Sequence, residues 1–330
     1  MKTSTRNMLC ALVAFALSTF AAQLLAQPAT NYPARPVRMI IPFAPGGASD
    51  AVGRIIQPSM SELLKQTVVI DNRGGADGNI GVEAAYKATP DGYTILLGNV
   101  GTMAINPNFF TKFPIKPARD LIAISQVVDV PGCLISHPTV PAKTLKELID
   151  YLKVNPGKLN FGSPAASSAN TLDMLTFLNK TGTSVVGVTY KGGAGPATIG
   201  LLGNEVQLMF VTLNSSVNFV KAGRLRIYGV VSDQRSPILP EVPTMREQGY
   251  DMHVGSWQGV FAPKGTPRAV VDKLFATTIQ TMKNPEVQKR LADSGVSVVA
   301  SKSPEDFAEF VKKENERFAE LIKTANIQTE

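Results

Sequence analysis

The sequence predicts an α/β protein of two lobes, each built on a doubly wound sheet, with two crossover strands joining them. Three observations carry this. Short β-branched runs alternate with helical patterns, the grammar of strands linked by crossover helices, which favours a parallel sheet. That alternation runs out in an apolar stretch at residues 121–130 and then restarts. The chain beyond residue 26, about 300 residues, also exceeds what one hydrophobic core usually organises.

In order, Val37 to Pro42 reads as a strand, ended by Pro-Phe-Ala-Pro-Gly-Gly, with a helix from about Asp50 to Leu64. Thr67 to Asp71 is a second strand, Asn79 to Lys87 a second helix, and Tyr93 to Leu97 a third strand opening into Gly98-Asn99-Val100-Gly101-Thr102. Leu121 to Val130 is long enough to cross between lobes, and Pro131-Gly132 marks the crossing. The second lobe then repeats the pattern: helix 145–154, strand 159–162, a Ser-rich loop at 163–168, a helix to about Asn179, strand 184–190, helix 196–202, and strands 206–211 and 225–231. Three helical patterns fill Arg268 to the end and lack strands of their own, so they are expected back on the first lobe. The expected boundaries are 27–128 with 253–330 for lobe 1 and 129–252 for lobe 2. Two crossings make a hinge about which lobes can close on a ligand.

The N-terminus predicts export. Lys2 and Arg6 precede an apolar run from Met8 to Phe20, and small residues follow to Ala26 or Ala29, the layout of a secretory signal peptide. Residues 1–26 are therefore expected to be removed, leaving a periplasmic protein, since no later apolar segment approaches the roughly 20 residues of a membrane span. Cys10 would go with the signal, and Cys133, in an apolar stretch, reads as a small buried hydrophobe. The composition is that of a globular chain, 44% hydrophobic and 18% charged. Without Lys2 and Arg6, 31 basic residues face 26 acidic ones. They are scattered, which speaks against nucleic acid, while a mild positive balance suits an anionic ligand.

In open α/β sheets, ligands sit at the carboxyl ends of strands, where helix N-termini attract anions. Two segments fit. One is Pro42 to Asp50, whose glycines let backbone N–H groups approach a ligand. The other is Ser163 to Thr171, a hydroxyl-rich loop opening a helix of the second lobe. Each has a bland reading too, as a turn before a helix or as an N-cap.

With these loops on one chain, the sequence resembles the Bug family, the binding proteins of tripartite tricarboxylate transporters. The matching stretches include Arg35-Pro36-Val37-Arg38, Pro42 to Gly47 with Asp50, Val69-Ile70-Asp71-Asn72-Arg73, Pro90-Asp91-Gly92-Tyr93-Thr94, Val188-Thr189-Tyr190-Lys191-Gly192-Gly193, and Gly259-Val260-Phe261-Ala262-Pro263-Lys264-Gly265-Thr266-Pro267. The resemblance implies a type II periplasmic binding protein, a Venus flytrap. One ligand carboxylate would be held by backbone groups and ordered waters of the two loops: Phe43, Ala44, Gly46, Gly47 and Ala48 with Asp50 supporting, and Ser163, Ser167 and Ser168. Thr102, Met103, Tyr190 and Trp257 complete the expected ligand-binding set. Where the family commonly has Ser-Thr-His this chain has Gly101-Thr102-Met103, a His gives way to Thr171, and Val211 stands where an Asp is frequent. With Phe43, Met103 and Trp257 expected nearby, the pocket should suit an aromatic or otherwise apolar-bodied carboxylate.

The expected partners are that small carboxylate and the membrane components of a tripartite tricarboxylate transporter, with the protein a monomer, free of cofactor and metal. A sensor role, docking on a signalling partner, uses the same clamp. An enzyme is disfavoured: Gly75-Ala76-Asp77-Gly78-Asn79-Ile80-Gly81 has the wrong spacing for a dinucleotide or phosphate loop. His137 and His253 stand apart, and no Gly-x-Ser-x-Gly elbow occurs.

Overall fold

The computed structural model describes residues 31–324 except 165–166, 191–192, 233 and 253–255, together with residue 329. The expected signal peptide, its cleavage site and His253 lie outside the described residues.

The first half opens with β1 (Val37–Ile41), α1 (Ala48–Leu64), β2 (Val68–Asn72), α2 (Asn79–Tyr86) and β3 (Thr94–Asn99). Two short helices, α3 (Asn106–Phe109) and α4 (Pro117–Asp120), lead into β4 (Leu121–Val130). The second half holds β5 (Gly132–Ser136), α5 (Leu145–Val154), β6 (Asn160–Ser163), α6 (Ala169–Thr181), β7 (Val186–Thr189), α7 (Ala194–Leu202), β8 (Leu208–Thr212), α8 (Leu213–Lys221) and β9 (Arg226–Val231). The chain returns through β10 (Ser256–Pro263), α9 (Arg268–Lys283), α10 (Pro285–Asp293), β11 (Ser297–Val298) and α11 (Pro304–Thr324).

Two sheets result, ordered β11-β4-β10-β3-β1-β2 and β7-β6-β8-β5-β9. Both are mixed, which corrects the expectation of parallel sheets. β1 runs parallel to β2 and β3, and β6 parallel to β7 and β8. β10 is antiparallel to both β3 and β4, and β5 to both β8 and β9. The reason is connectivity: β4 leaves the first half, β10 re-enters it, and the two lie side by side from Ser256↔Val130 to Pro263↔Leu121. The outgoing and returning chain are thus neighbours where the halves meet.

Helices cover both faces of each sheet, the layering that buries an α/β sheet. Val52, Ile56 and Met60 of α1 share a core cluster with Leu274 of α9 and Leu291 of α10, while Val82 of α2 and Phe307, Val311 and Phe318 of α11 fill the opposite face. The C-terminal helices therefore pack on the first sheet. Ala169 and Leu172 of α6 join that second cluster, so the halves touch through α6. Cys133 is fully buried on β5, and burial pushes its thiol up to about 12, the behaviour of a packing residue.

Candidate functional site

A cavity of about 480 Å³ lies between the halves, within the range of small-molecule sites. Its walls come from residues 43–49, Asp77, Asn99 to Gly101 and Asn106 on one side, from Pro164, Ser167 to Asn170, Gly193 to Pro196 and Thr212 on the other, and from Ser256 and Gln258 of β10.

Four helices begin at this cavity. The N-caps of α1, α6, α7 and α8 are Gly47, Ser168, Gly193 and Thr212, and all four line it. A helix start carries unpaired N–H groups and the positive end of the helix dipole, so the cavity favours an anion. No Lys, Arg or His is among the described lining residues, and Asp77 is their one ionisable side chain. The attraction comes from backbone.

The first loop is shaped by side chains beneath it. Gly46 adopts φ +86°, a left-handed conformation open to glycine, and its N–H donates to Asp50 Oδ2 at 2.9 Å. Asp50 also accepts from Arg54 Nε at 2.9 Å and from Asn72 Nδ2 at 3.1 Å, and Asn72 donates to the Phe43 carbonyl. Burial pulls the Asp50 carboxyl upward, but the hydrogen bonds from Arg54, Gly46 and Asn72 outweigh it and hold the group below its ordinary value. Asp50 is 4% exposed and does not line the cavity. It holds the loop from behind.

The second loop is held by hydroxyls. Ser168 Oγ accepts from the Thr171 N–H at 3.1 Å, capping α6. Thr171 Oγ1 lies 2.8 Å from Ser168 Oγ and 2.7 Å from Ser163 Oγ. Ser167 and Ser168 reach the cavity; Ser163 is buried beneath the loop and does not. Ser167 Oγ donates across the cleft to Asp77 Oδ2 at 3.0 Å.

Of the other expected residues, Phe43, Ala44, Gly46, Gly47 and Ala48 line the cavity, and Thr102, Met103, Tyr190 and Trp257 do not. Thr102 closes the turn after β3, donating its N–H to Asn99 Oδ1 and accepting from the Asn99 N–H, which leaves Asn99, Val100 and Gly101 at the wall. Met103 lies in a π-helical turn, fully buried over Gly98. Trp257 faces away because strand side chains alternate: Ser256 and Gln258 meet the cavity, while the indole packs on Phe307 and Phe310 and donates to Glu314 at 2.9 Å. Tyr190 covers Gly200 and donates to Glu205 at 3.0 Å. Val211 is in the core, with Thr212, the next residue, at the cavity. The apolar character of the walls therefore comes from Phe43, Val100, prolines and alanines.

Gly193 to Pro196, Thr212 and Asp77 escaped the sequence reading. The first is a glycine turn before a helix, a signal that was available. Asp77 lay in a glycine-rich segment weighed only as a nucleotide loop.

Two α/β halves with helix starts converging on a shared cleft define a solute-binding protein of the periplasmic type. Residues 52–327 match the model of the tripartite tricarboxylate transporter family receptor, TctC. Protein BugT of Bordetella pertussis is 34% identical over 89% of this chain and 90% of its own length. Among solved structures, the periplasmic binding protein BugD is 36% identical with a TM-score of 0.85, covering 91% of this chain and all of its own. An R. palustris protein solved with adipate is 31% identical with a TM-score of 0.86, covering 90% and 99%. The chain belongs to the TctC family, in agreement with its resemblance to the Bug proteins, and is a solute-binding protein.

Proposed function

We propose that this protein captures a small carboxylate with an apolar body in the periplasm, releases it unchanged, and delivers it to the membrane components of a tripartite tricarboxylate transporter. The observation that carries the reading is the convergence of four helix N-termini on one cavity without a described cationic side chain. Backbone amides oriented by loops suit a carboxylate, directly or through ordered water. The relative solved with adipate supports the same ligand class. Residues 27–128 with 253–330 and 129–252 would act as the two jaws, and a ligand touching both stabilises the closed form by its differential affinity.

Thermal shift with paired acids and their primary amides tests this. Acids should raise Tm, since a ligand at 100 times its Kd stabilises by about 2.7 kcal/mol, and the amides should not. Equal shifts by acid and amide would remove the anion site. Growth of a deletion strain on the identified acid separates transport from sensing: loss of growth supports transport.

A further inference from the structure

We infer that Asp173 couples a proton to the movement of the two lobes: its carboxyl is neutral while α6 is packed between them, and opening of the lobes releases the proton to water. This rests on the two-jaw reading above and adds a regulation to it.

The bond from Ser167 to Asp77 spans the cleft, so the arrangement described is a closed one. Asp173 follows Leu172 on α6, a helix of the second lobe whose Ala169 and Leu172 are packed into a core cluster of the first, with Trp257 and Phe307. The first turn of α6 is therefore a contact that opening must shift. Asp173 also stands close to both crossings of the chain. A Cβ built on Gly132, just past the outgoing crossing, would lie 3.3 Å from Asp173 Oδ2. On the returning side, the charge it feels is Arg317 of α11. Arg317 donates to Glu314 at 2.7 and 2.8 Å, and Glu314 accepts from Trp257 of β10.

In this place the carboxyl is fully buried, and neither oxygen has a hydrogen-bond partner among the described residues. A charge taken out of water without a partner is expensive, and the group responds by keeping its proton. Little around it reverses this. β5 contributes Cys133, itself buried with its thiol pushed up to about 12, and β8 has no titratable residue. Arg226 and Tyr228 of β9 are bound to the Ala142 carbonyl, and Asp129 of β4 and Lys180 of α6 are exposed. Burial outweighs the pull of Arg317. A lobe movement that admits water, or brings Arg317 nearer, lowers the cost and lets the carboxyl ionise. The closed form holds the higher value, so closure is favoured as pH falls and opposed as pH rises through that value.

Small-angle X-ray scattering on the wild-type protein, Asp173→Asn and Asp173→Ala, from about pH 5 to about pH 9 in buffers free of carboxylates, tests the coupling. Asp50, whose value is held low, stays ionised throughout that range. The wild-type radius of gyration should rise with pH, one proton changing the open-to-closed ratio by up to about tenfold per pH unit. Both variants remove the buried acid and should keep the compact radius at every pH, with circular dichroism confirming the native fold. A wild-type radius that is constant with pH overturns the coupling, and so does a pH dependence that persists in both variants. Excess adipate separates the two readings. If adipate compacts the protein while pH does not change it, the coupling fails alone; if neither pH nor adipate nor any other carboxylate changes the radius, the two-jaw reading fails with it.

Discussion

The cavity's two loops reach the same end with different materials. The loop at residues 43–49 is mostly backbone, and its shape is imposed by Asp50 and Asn72 beneath it. The loop before α6 carries its own support, a chain of hydroxyls from Ser163 through Thr171 to Ser168. The first depends on an ionised group beneath it and is therefore sensitive to acid; the Ser163–Thr171–Ser168 support of the second is neutral, and its tie to a carboxylate is the Ser167 bond to Asp77 across the cleft. A carboxylate clamp can thus lose one jaw's geometry to pH while keeping the other's.

Three substitutions break or sharpen that contrast. The largest effect is expected for Asp50→Ala, which strands the Gly46 N–H and Asn72: about 1.5 to 3 kcal/mol of stability, with loss of ligand binding. The sign follows from the lowered folded value of Asp50. Its contribution is present above the unfolded carboxylate value of about 3.9 and disappears as pH falls through the lower folded one. Denaturant melts at pH 7 and pH 3 should therefore show a wide gap and then a narrow one. An equal gap at both would mean that the loop does not rely on the charge.

An effect of opposite sign is expected within α6. Asp173 is fully buried with both carboxyl oxygens unpartnered, and burial, opposed only by the more distant Arg317 charge, holds it well above its ordinary value. A raised acid costs stability as pH climbs past the unfolded value. Asp173→Asn should raise Tm, more at pH 7 than at pH 4; a variant less stable at pH 7 would point to a partner for the charged form. The smallest effect is expected for Ser168→Ala, about 1 kcal/mol for the lost cap, unchanged between pH 7 and pH 3. A pH-dependent loss would remove the contrast between the loops.

Much of this was legible in the sequence for identifiable reasons. Glycine and proline punctuate the first loop, and Ser168 precedes an apolar helical pattern, so both loops could be placed before any coordinates. The mixed sheets could not: β10 carries Gly259 and begins Ser-Trp-Gln, which hides a strand whose direction is set by pairing with β4 far away. α8 was hidden by its polar Asn214-Ser215-Ser216 start. Met103 and Trp257 misled because a large apolar residue beside a loop says nothing about which way its backbone turns it. For Trp257, strand alternation decided against the cavity; for Met103, the π-helical turn did.

A crystal structure with a bound acid tests the central claim most directly. The carboxylate should lie within hydrogen-bonding reach, directly or through one water, of backbone N–H groups at both residues 46–48 and residues 167–169. A carboxylate seated elsewhere, or touching one loop while the other faces solvent, would contradict the account.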